Sequence, residues 1–307
     1  MPSWPKVFDV SPKVADALTA GHAVVALESA VISHGLPRPS GVDTALDLED
    51  LVRERSTVPA TMAIIDGRIK VGLLPGEFER LIAAGAMKIA SRDLPVAIAS
   101  SATGGLTVSA TVALADFLGI KIVCTGGIGG VHLGAEHTWD VSADLLALSR
   151  YPVAVVCAGA KAICDISRTL EYLDTVGVTV VTFRTDRFPG FYTEDSGIES
   201  PRRIAAPEDA AHIMMVKRTI GQRTGLLIAA PVPSDAALPP LSVQEAVTQA
   251  TDRARATGVH GEDLTPYLLA ALSEITDGAS LRANVALLRS NASLAAEVAA
   301  ALTHVAQ

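Results

Sequence analysis

Short runs of apolar, often β-branched residues recur along the chain at Ala23–Leu27, Ala60–Ile65, Val96–Ala99, Lys121–Cys124, Val153–Cys157, Val178–Thr182 and Gly225–Ala229. Most are apolar at consecutive rather than alternate positions, which predicts strands buried on both faces. Helices are predicted between them over Gly41–Arg55, Pro75–Ala84, Thr107–Phe117, Ser142–Ser149, Ala162–Val176 and Ala206–Ile220. That alternation predicts an α/β fold with a largely parallel sheet covered on both sides. Asp66-Gly67, between Ala60–Ile65 and Arg68–Gly72, marks a tight hairpin and makes the sheet mixed. After Pro233 only helices are predicted: Leu241–Thr257, Asp263–Thr276, Ala279–Leu288 and Ser293–Leu302. Ser242 with Glu245, and Thr265-Pro266, supply helix starts. No low-complexity linker sets this part off, so residues 234–307 read as the helical C-terminal region of one domain spanning 1–307.

Composition narrows the classes. Of 307 residues, 49% are hydrophobic and only 4% aromatic, which suits helices packed closely on a sheet. A net charge of -8 without a basic cluster argues against nucleic acid as a partner. Cys124, Cys157 and Cys164 have no metal-like spacing and read as buried free thiols in a reducing cytosol. Met1-Pro-Ser-Trp-Pro-Lys6 lacks the apolar core of a signal peptide, and no apolar run approaches the ~20 residues of a membrane span. A cytoplasmic protein without a membrane partner is expected.

The segment Val153-Ala-Val-Val-Cys-Ala-Gly-Ala-Lys161 carries a buried strand through small residues to an amine where a helix is predicted to begin. A lysine desolvated there favours its neutral, nucleophilic form, whereas a snorkelling lysine would keep its head in water. The six other lysines have ordinary surface-like neighbours. Glu28, at the end of Ala23–Leu27, is either a desolvated acid/base or a strut for the Ser33–Gly35 loop. Thr125-Gly-Gly-Ile-Gly-Gly-Val-His-Leu-Gly134 would let backbone amides approach a phosphate, and is equally an ordinary loop. Ser101-Ala-Thr-Gly-Gly105 is a second small-residue turn after a predicted strand, as expected of a ligand site at strand ends. Asp140 and Asp144 are four apart; on one helix they would suit a hard divalent cation, while helix capping explains them as well. His132 and His137 read as satisfied polar groups near a loop rather than ligands, and Lys88, Arg92 and Asp93 as a phosphate contact or a solvated ion-pair cluster.

Together these segments resemble the pseudouridine-5′-phosphate glycosidase family over nearly the whole chain. The resemblance rests on Ala26-Leu-Glu-Ser29, Ile32-Ser-His-Gly35, Ser91-Arg-Asp-Leu94, Thr125-Gly-Gly-Ile-Gly-Gly-Val-His132, Gly134-Ala-Glu136, Ser142-Ala-Asp144, Val156-Cys-Ala-Gly-Ala-Lys161, Leu170-Glu-Tyr-Leu173 and Thr265-Pro266, in that order. It implies a three-layer α/β/α fold, a homotrimer and a manganese-dependent reaction on a carbon–carbon glycosidic bond of ribose 5-phosphate, with magnesium as the other candidate metal. It also implies Lys161 as the Schiff-base lysine, Glu28 as acid/base and Asp140 as the metal ligand. Ser142, Ala143 and Asp144 would contact substrate or the metal's waters. Lys88, Val108, Thr125, His132 and Asn284 fall on substrate- or phosphate-site positions.

The chain departs from the family pattern at Gly41, Leu106, Leu133 and Ala230, where polar residues are usual. On the sequence alone we read these changes as an enlarged apolar acceptor pocket, and so as a C-glycosynthase joining ribose 5-phosphate to an aromatic natural-product acceptor. The alternative is cleavage of pseudouridine 5′-phosphate to uracil and ribose 5-phosphate. A non-catalytic sugar-phosphate-binding protein would need the glycine loops but not Lys161.

Overall fold

The computed structural model describes residues 4–37, 40–83, 85–200, 202–259, 261 and 264–305. Its strands are β1 (Phe8–Val10), β2 (Val24–Leu27), β3 (Val58–Ile65), β4 (Arg68–Val71), β5 (Met87–Ile89), β6 (Gly104–Leu106), β7 (Ile122–Cys124), β8 (Val131–His132), β9 (Ala154–Cys157), β10 (Cys164–Asp165), β11 (Thr179–Phe183), β12 (Arg203–Ile204) and β13 (Leu226–Ala229). The helices are α1 (Pro12–Ala20), α2 (Ser40–Arg53), α3 (Pro75–Leu81), α4 (Leu94–Ala99), α5 (Val108–Leu118), α6 (Ala135–Thr138), α7 (Ala143–Arg150), α8 (Ile166–Thr175), α9 (Pro207–Thr219), α10 (Pro240–Thr257), α11 (Leu264–Ile275) and α12 (Ala279–Val305).

β2, β7, β9 and β13 are buried at every position because helices cover both faces of the sheet they form. The main sheet runs β1-β4-β3-β2-β7-β9-β13-β11-β12, with β6 also on β3 and β5 on β6. From β3 through β2, β7, β9, β13 and β11 to β12 the neighbours are parallel; β4 and β6 join β3 antiparallel. The chain leaves β2 for β3 on one side and later returns with β7 on the other. A crevice opens outside the strand ends at such a reversal. The hairpin at Asp66-Gly67 has φ of 50° and 72°, as a tight turn between twisted strands requires. On the sheet, α12 packs against β2, β7 and β9 between α2 and α9, while α5, α7 and α8 touch one another in sequence. These are the flanking layers of a three-layer α/β/α fold.

Four local expectations fail for identifiable reasons. Val96–Ala99 lies in α4, not in a strand; Pro95 occupies its first turn, and a short apolar run has no period of its own. Ala162–Val176 starts as helix only at Ile166, where Asp165 accepts the Arg168 N–H at 3.0 Å as the cap. The two last predicted helices are one, since no Gly or Pro interrupts 279–305. That helix is long and apolar enough to cross a membrane by length and composition, contrary to expectation, yet Ala283, Leu287, Ala295 and Val298 are buried against the rest of the protein. Ala84 and Asp263, ends of two predicted helices, lie outside the described residues.

Just past β2, fully buried Ser29 donates from Oγ to the Met62 carbonyl (2.5 Å) and accepts the Leu106 N–H (3.0 Å), tying β2, β3 and β6 together. Ser29→Ala leaves both backbone groups unpaired and is expected to cost about 1–3 kcal/mol in urea unfolding; an unchanged midpoint would contradict the clamp.

Candidate active site

Three neighbouring strands deliver the central groups. Glu28 follows β2, Thr125 follows β7, and Lys161 lies four residues beyond β9. Glu28 is buried; Oε1 accepts the Thr125 hydroxyl and Oε2 the Val31 N–H, both at 3.1 Å. Burial pushes its carboxyl above the usual range. The Lys161 ammonium and the two hydrogen bonds pull it back, and the Asp144 carboxylate pushes it up again. No helix begins at Lys161. Ile128 and Ala160 instead pair between the loops after β7 and β9, and the Lys161 N–H donates to the Ile128 carbonyl at 3.0 Å. The side chain is half-buried rather than sealed.

A second cluster faces the first. Ser142 caps α7, and Asp140 lies outside that helix, so Asp140 and Asp144 do not share a helical face. Asp144 is buried, and each of its oxygens is held: Oδ1 accepts the Ser109 N–H and Oδ2 the Gly129 N–H, each at 2.8 Å. Gly129 is required here, since a Cβ would lie 2.3 Å from Ser142 Oγ. Burial lowers the proton affinity of His132, as do Lys161 and Lys88, against the opposing pull of Asp140 and Asp144. Asp140 lines the cavity, and its carboxylate has no hydrogen-bond partner among the described residues. No group of three or more His, Cys, Asp or Glu that could hold a metal occurs among the described residues. One unpartnered carboxylate beside open space does suit a hard cation that keeps most of its waters.

The cavity between the clusters measures about 240 Å³, and a side space of about 30 Å³ shares Glu28, Lys88 and Lys161 with it. Glu28, Lys88, Val108, His132, Asp140, Ser142, Ala143, Asp144 and Lys161 line the larger; Thr125 and Asn284 line the smaller. Thus the site residues that the family resemblance implies are brought together, whereas none of the Ser101–Gly105 turn lines either space. Asn284 is buried, and its Oδ1 has no partner among the described residues. Arg92 and Asp93 also reach the larger cavity, whereas His137 is exposed and away from it.

Sequence reasoning missed Ser109 and Phe191. The Ser109 N–H anchors Asp144; Phe191 lines the side space at φ 66°, its ring 2.6 Å from where a Gly127 Cβ would be. Pro189-Gly190 was the only local signal of that turn. Leu106, Leu133 and Ala230 line neither space, and Gly41 borders a different one behind Glu28. Leu106 is sealed in the core and Leu133 points to solvent. The expected enlargement of the acceptor pocket therefore has no basis at these positions. One lysine was also misjudged. Lys217 is buried and donates to the Thr179 and Thr224 hydroxyls at 2.9 and 3.2 Å.

Residues 13–301 match the family model described as indigoidine synthase A like protein. The chain is 47% identical to the pseudouridine-5′-phosphate glycosidase of Caldanaerobacter subterraneus subsp. tengcongensis, with 97% of each chain covered. It is 44% identical to that of Escherichia coli K12, covering 96% of this chain and 95% of that one. Among solved structures it is similar to the prealnumycin C-glycosynthase AlnA in complex with ribulose 5-phosphate, at a TM-score of 0.90, 34% identity and 99% coverage of both chains.

Glu28 also yields a stability prediction. Its native proton affinity is raised, so below the ordinary glutamate range both folded and unfolded states hold the proton and its burial costs nothing. As pH rises toward the native value, ionisation favours the unfolded state. Glu28→Gln should therefore be more stable than the parent at neutral pH and equal to it in acid, measured by urea unfolding across pH. A difference independent of pH would contradict the assignment.

Proposed function

The chain belongs to the pseudouridine-5′-phosphate glycosidase family, and from that premise we propose that it reversibly cleaves pseudouridine 5′-phosphate to uracil and ribose 5-phosphate. The observation that carries this reading is one site holding an amine, a buried acid and an amide oxygen without a partner among the described residues: Lys161, Glu28 and Asn284. Uracil carries N–H donors for that oxygen, and a buried acceptor left unpaired costs about 1–3 kcal/mol. The likeness to a C-glycosynthase suggests synthesis on a larger aromatic carbon, but the substitutions that would make room for one lie away from the cavity.

A carbon–carbon bond offers no leaving heteroatom, so protonating a glycosidic oxygen is not enough. Glu28 gives its proton to the ribose ring oxygen as the C1′–O4′ bond breaks, and the Lys161 amine bonds to C1′. The new ammonium returns a proton to the Glu28 carboxylate. Glu28 then protonates the uracil ring carbon while the lysine nitrogen's lone pair forms the iminium and the carbon–carbon bond breaks. Water adds to the iminium as Glu28 takes one of its protons and passes it to the lysine nitrogen. The remaining hydroxyl proton goes to Glu28 as the carbon–nitrogen bond breaks, so ribose 5-phosphate leaves and Lys161 and Glu28 regain their amine and acid forms. Read backwards, the same steps make the bond.

Lys88 and the start of α5 at Val108 supply the cation and N–H groups suited to a 5′-phosphate. In this reading His132, Ser142 and Ala143, which line the cavity, orient the opened sugar, and Thr125 holds Glu28. Asp140 would hold the manganese, or magnesium, implied by the family resemblance, and the ion would supply charge to orient water and sugar oxygens. The reading includes a cytoplasmic homotrimer.

Incubation with pseudouridine 5′-phosphate and Mn²⁺ should release uracil, read by chromatography. Lys161→Ala should show none above background, and Glu28→Gln should lose about 10²–10⁴-fold in kcat. Absence of uracil release, with ribose 5-phosphate transferred to a larger electron-rich aromatic, would overturn this reading in favour of the synthase.

A further inference from the structure

Glu28 borders space on two sides. In front lies the substrate cavity. Behind, a space of about 10 Å³ is bordered by Glu28, Thr44 and Thr61, with Gly41 and Leu48 among the rest. That is the volume one water needs, with polar groups to hold it. The Thr44 hydroxyl, on α2, has no hydrogen-bond partner among the described residues. Gly41 keeps the back wall thin, since a Cβ there would sit 2.9 Å from the Ile32 carbonyl oxygen.

The polar path continues outward. Thr61 sits on β3 level with Leu27 of β2, and its Oγ1–H donates to Glu49 Oε1 at 2.6 Å. Glu49 is only 3% exposed, but its other oxygen is held by the guanidinium of Arg53, whose side chain is 45% exposed. Glu49 is thus a buried acid one step from solvent and one hydroxyl from the space behind Glu28. The catalytic steps above make no use of it.

We propose that Glu49 and Thr61, with one water in the space behind Glu28, form a proton relay between the catalytic acid and solvent. This rests on Glu28 being the acid/base. The catalytic steps return the Glu28 proton, so the relay's part is to equilibrate the acid with solvent by a path that does not cross bound substrate. In the outward direction Glu28 gives its proton to the water, and the water passes one of its own to Thr61 Oγ1. Thr61 releases its hydroxyl proton to Glu49 Oε1. Three O–H bonds break and three form, so the water and the threonine are unchanged and one proton has moved between carboxyls. The Thr61 hydroxyl already points at Glu49, the orientation from which this transfer starts. The reverse sequence recharges Glu28.

Burial raises the proton affinity of both carboxyls. Around Glu49, Arg53 and the Thr61 bond oppose that rise and Asp50 adds to it. On the α2–α12 contact the charges are paired with each other, Arg55 with Glu297 and Asp47 with Arg289.

Thr61→Val removes the hydroxyl and keeps the shape; Thr61→Ser keeps the hydroxyl. With pseudouridine 5′-phosphate, Thr61→Val and Glu49→Gln should each lower kcat about tenfold, leave KM within about twofold and enlarge the solvent deuterium isotope effect, while Thr61→Ser stays near parental. Parental kcat and isotope effect in Thr61→Val and Glu49→Gln would overturn the relay, as would a Thr61→Ser loss equal to that of Thr61→Val, which marks packing. Failure of the unsubstituted enzyme to turn over this substrate counts against the functional reading instead. The relay then stands or falls on a high-resolution crystal structure of the unsubstituted protein. It requires an ordered water bridging Glu28 and Thr61; a side chain in that place, or no ordered water, overturns it.

Discussion

The site depends on holding a protonatable carboxyl and an amine side by side in a partly dry place, and parallel strand register does this. Leu27 is level with Cys124 across β2 and β7, and Cys124 with Val156 across β7 and β9. Glu28 and Thr125 therefore emerge as neighbours, close enough for the 3.1 Å bond that helps set the carboxyl. Lys161 lies further along its strand, and the Ile128–Ala160 pairing brings its backbone back beside the β7 loop. From behind, Asn291 of α12 donates to the Thr125 and Gly126 carbonyls at 2.9 and 3.3 Å, fixing the strand end that carries Thr125. Without this framework the buried charge on Glu28 would be unopposed, and the acid would hold its proton more tightly without presenting it in one direction.

The same burial decides which group can be the nucleophile. Cys157 and Cys164 lie on the strands beside Lys161, but desolvation pushes both thiols up to about 12, so neither supplies a thiolate near neutral pH. Lys161 lines both the main cavity and the side space, where a sugar carbon would meet its amine. Glycine is the means of close approach: at Gly129 it admits Asp144 and Ser142, and at Gly127 it admits the Phe191 ring. Phe191 accepts a left-handed backbone conformation to reach that position, a local strain that the surrounding packing must offset.

Much of this was legible in the sequence, and what was not has a physical explanation. Consecutive apolar positions identified β2, β3, β7, β9, β11 and β13 because parallel strands are buried on both faces. The short run Val96–Ala99 carried no period, and the helix-start signal of Pro95 decided it instead. Glu28, Lys161 and Asp140 stood out because charged groups at strand ends or after glycine loops are chemically unusual. Ser109 and Glu49 could not stand out, since one acts through a backbone N–H and the other looks like any helix acid until β3 places Thr61 against it. The departures at Leu106, Leu133 and Ala230 misled for the converse reason. Sequence proximity to a ligand loop does not say which way a side chain points, and two of the three are buried away from the cavity while one is exposed.

The central claim is that Lys161 bonds to the anomeric carbon of the sugar phosphate. It is tested most directly by reducing the working enzyme with borohydride in the presence of ribose 5-phosphate and mapping the product by peptide mass spectrometry. The account predicts a reduced ribose-phosphate adduct confined to the peptide containing Lys161 and absent from Lys161→Ala. Bound ribose 5-phosphate without an adduct, or an adduct on Lys88 or Lys217 instead, would contradict it.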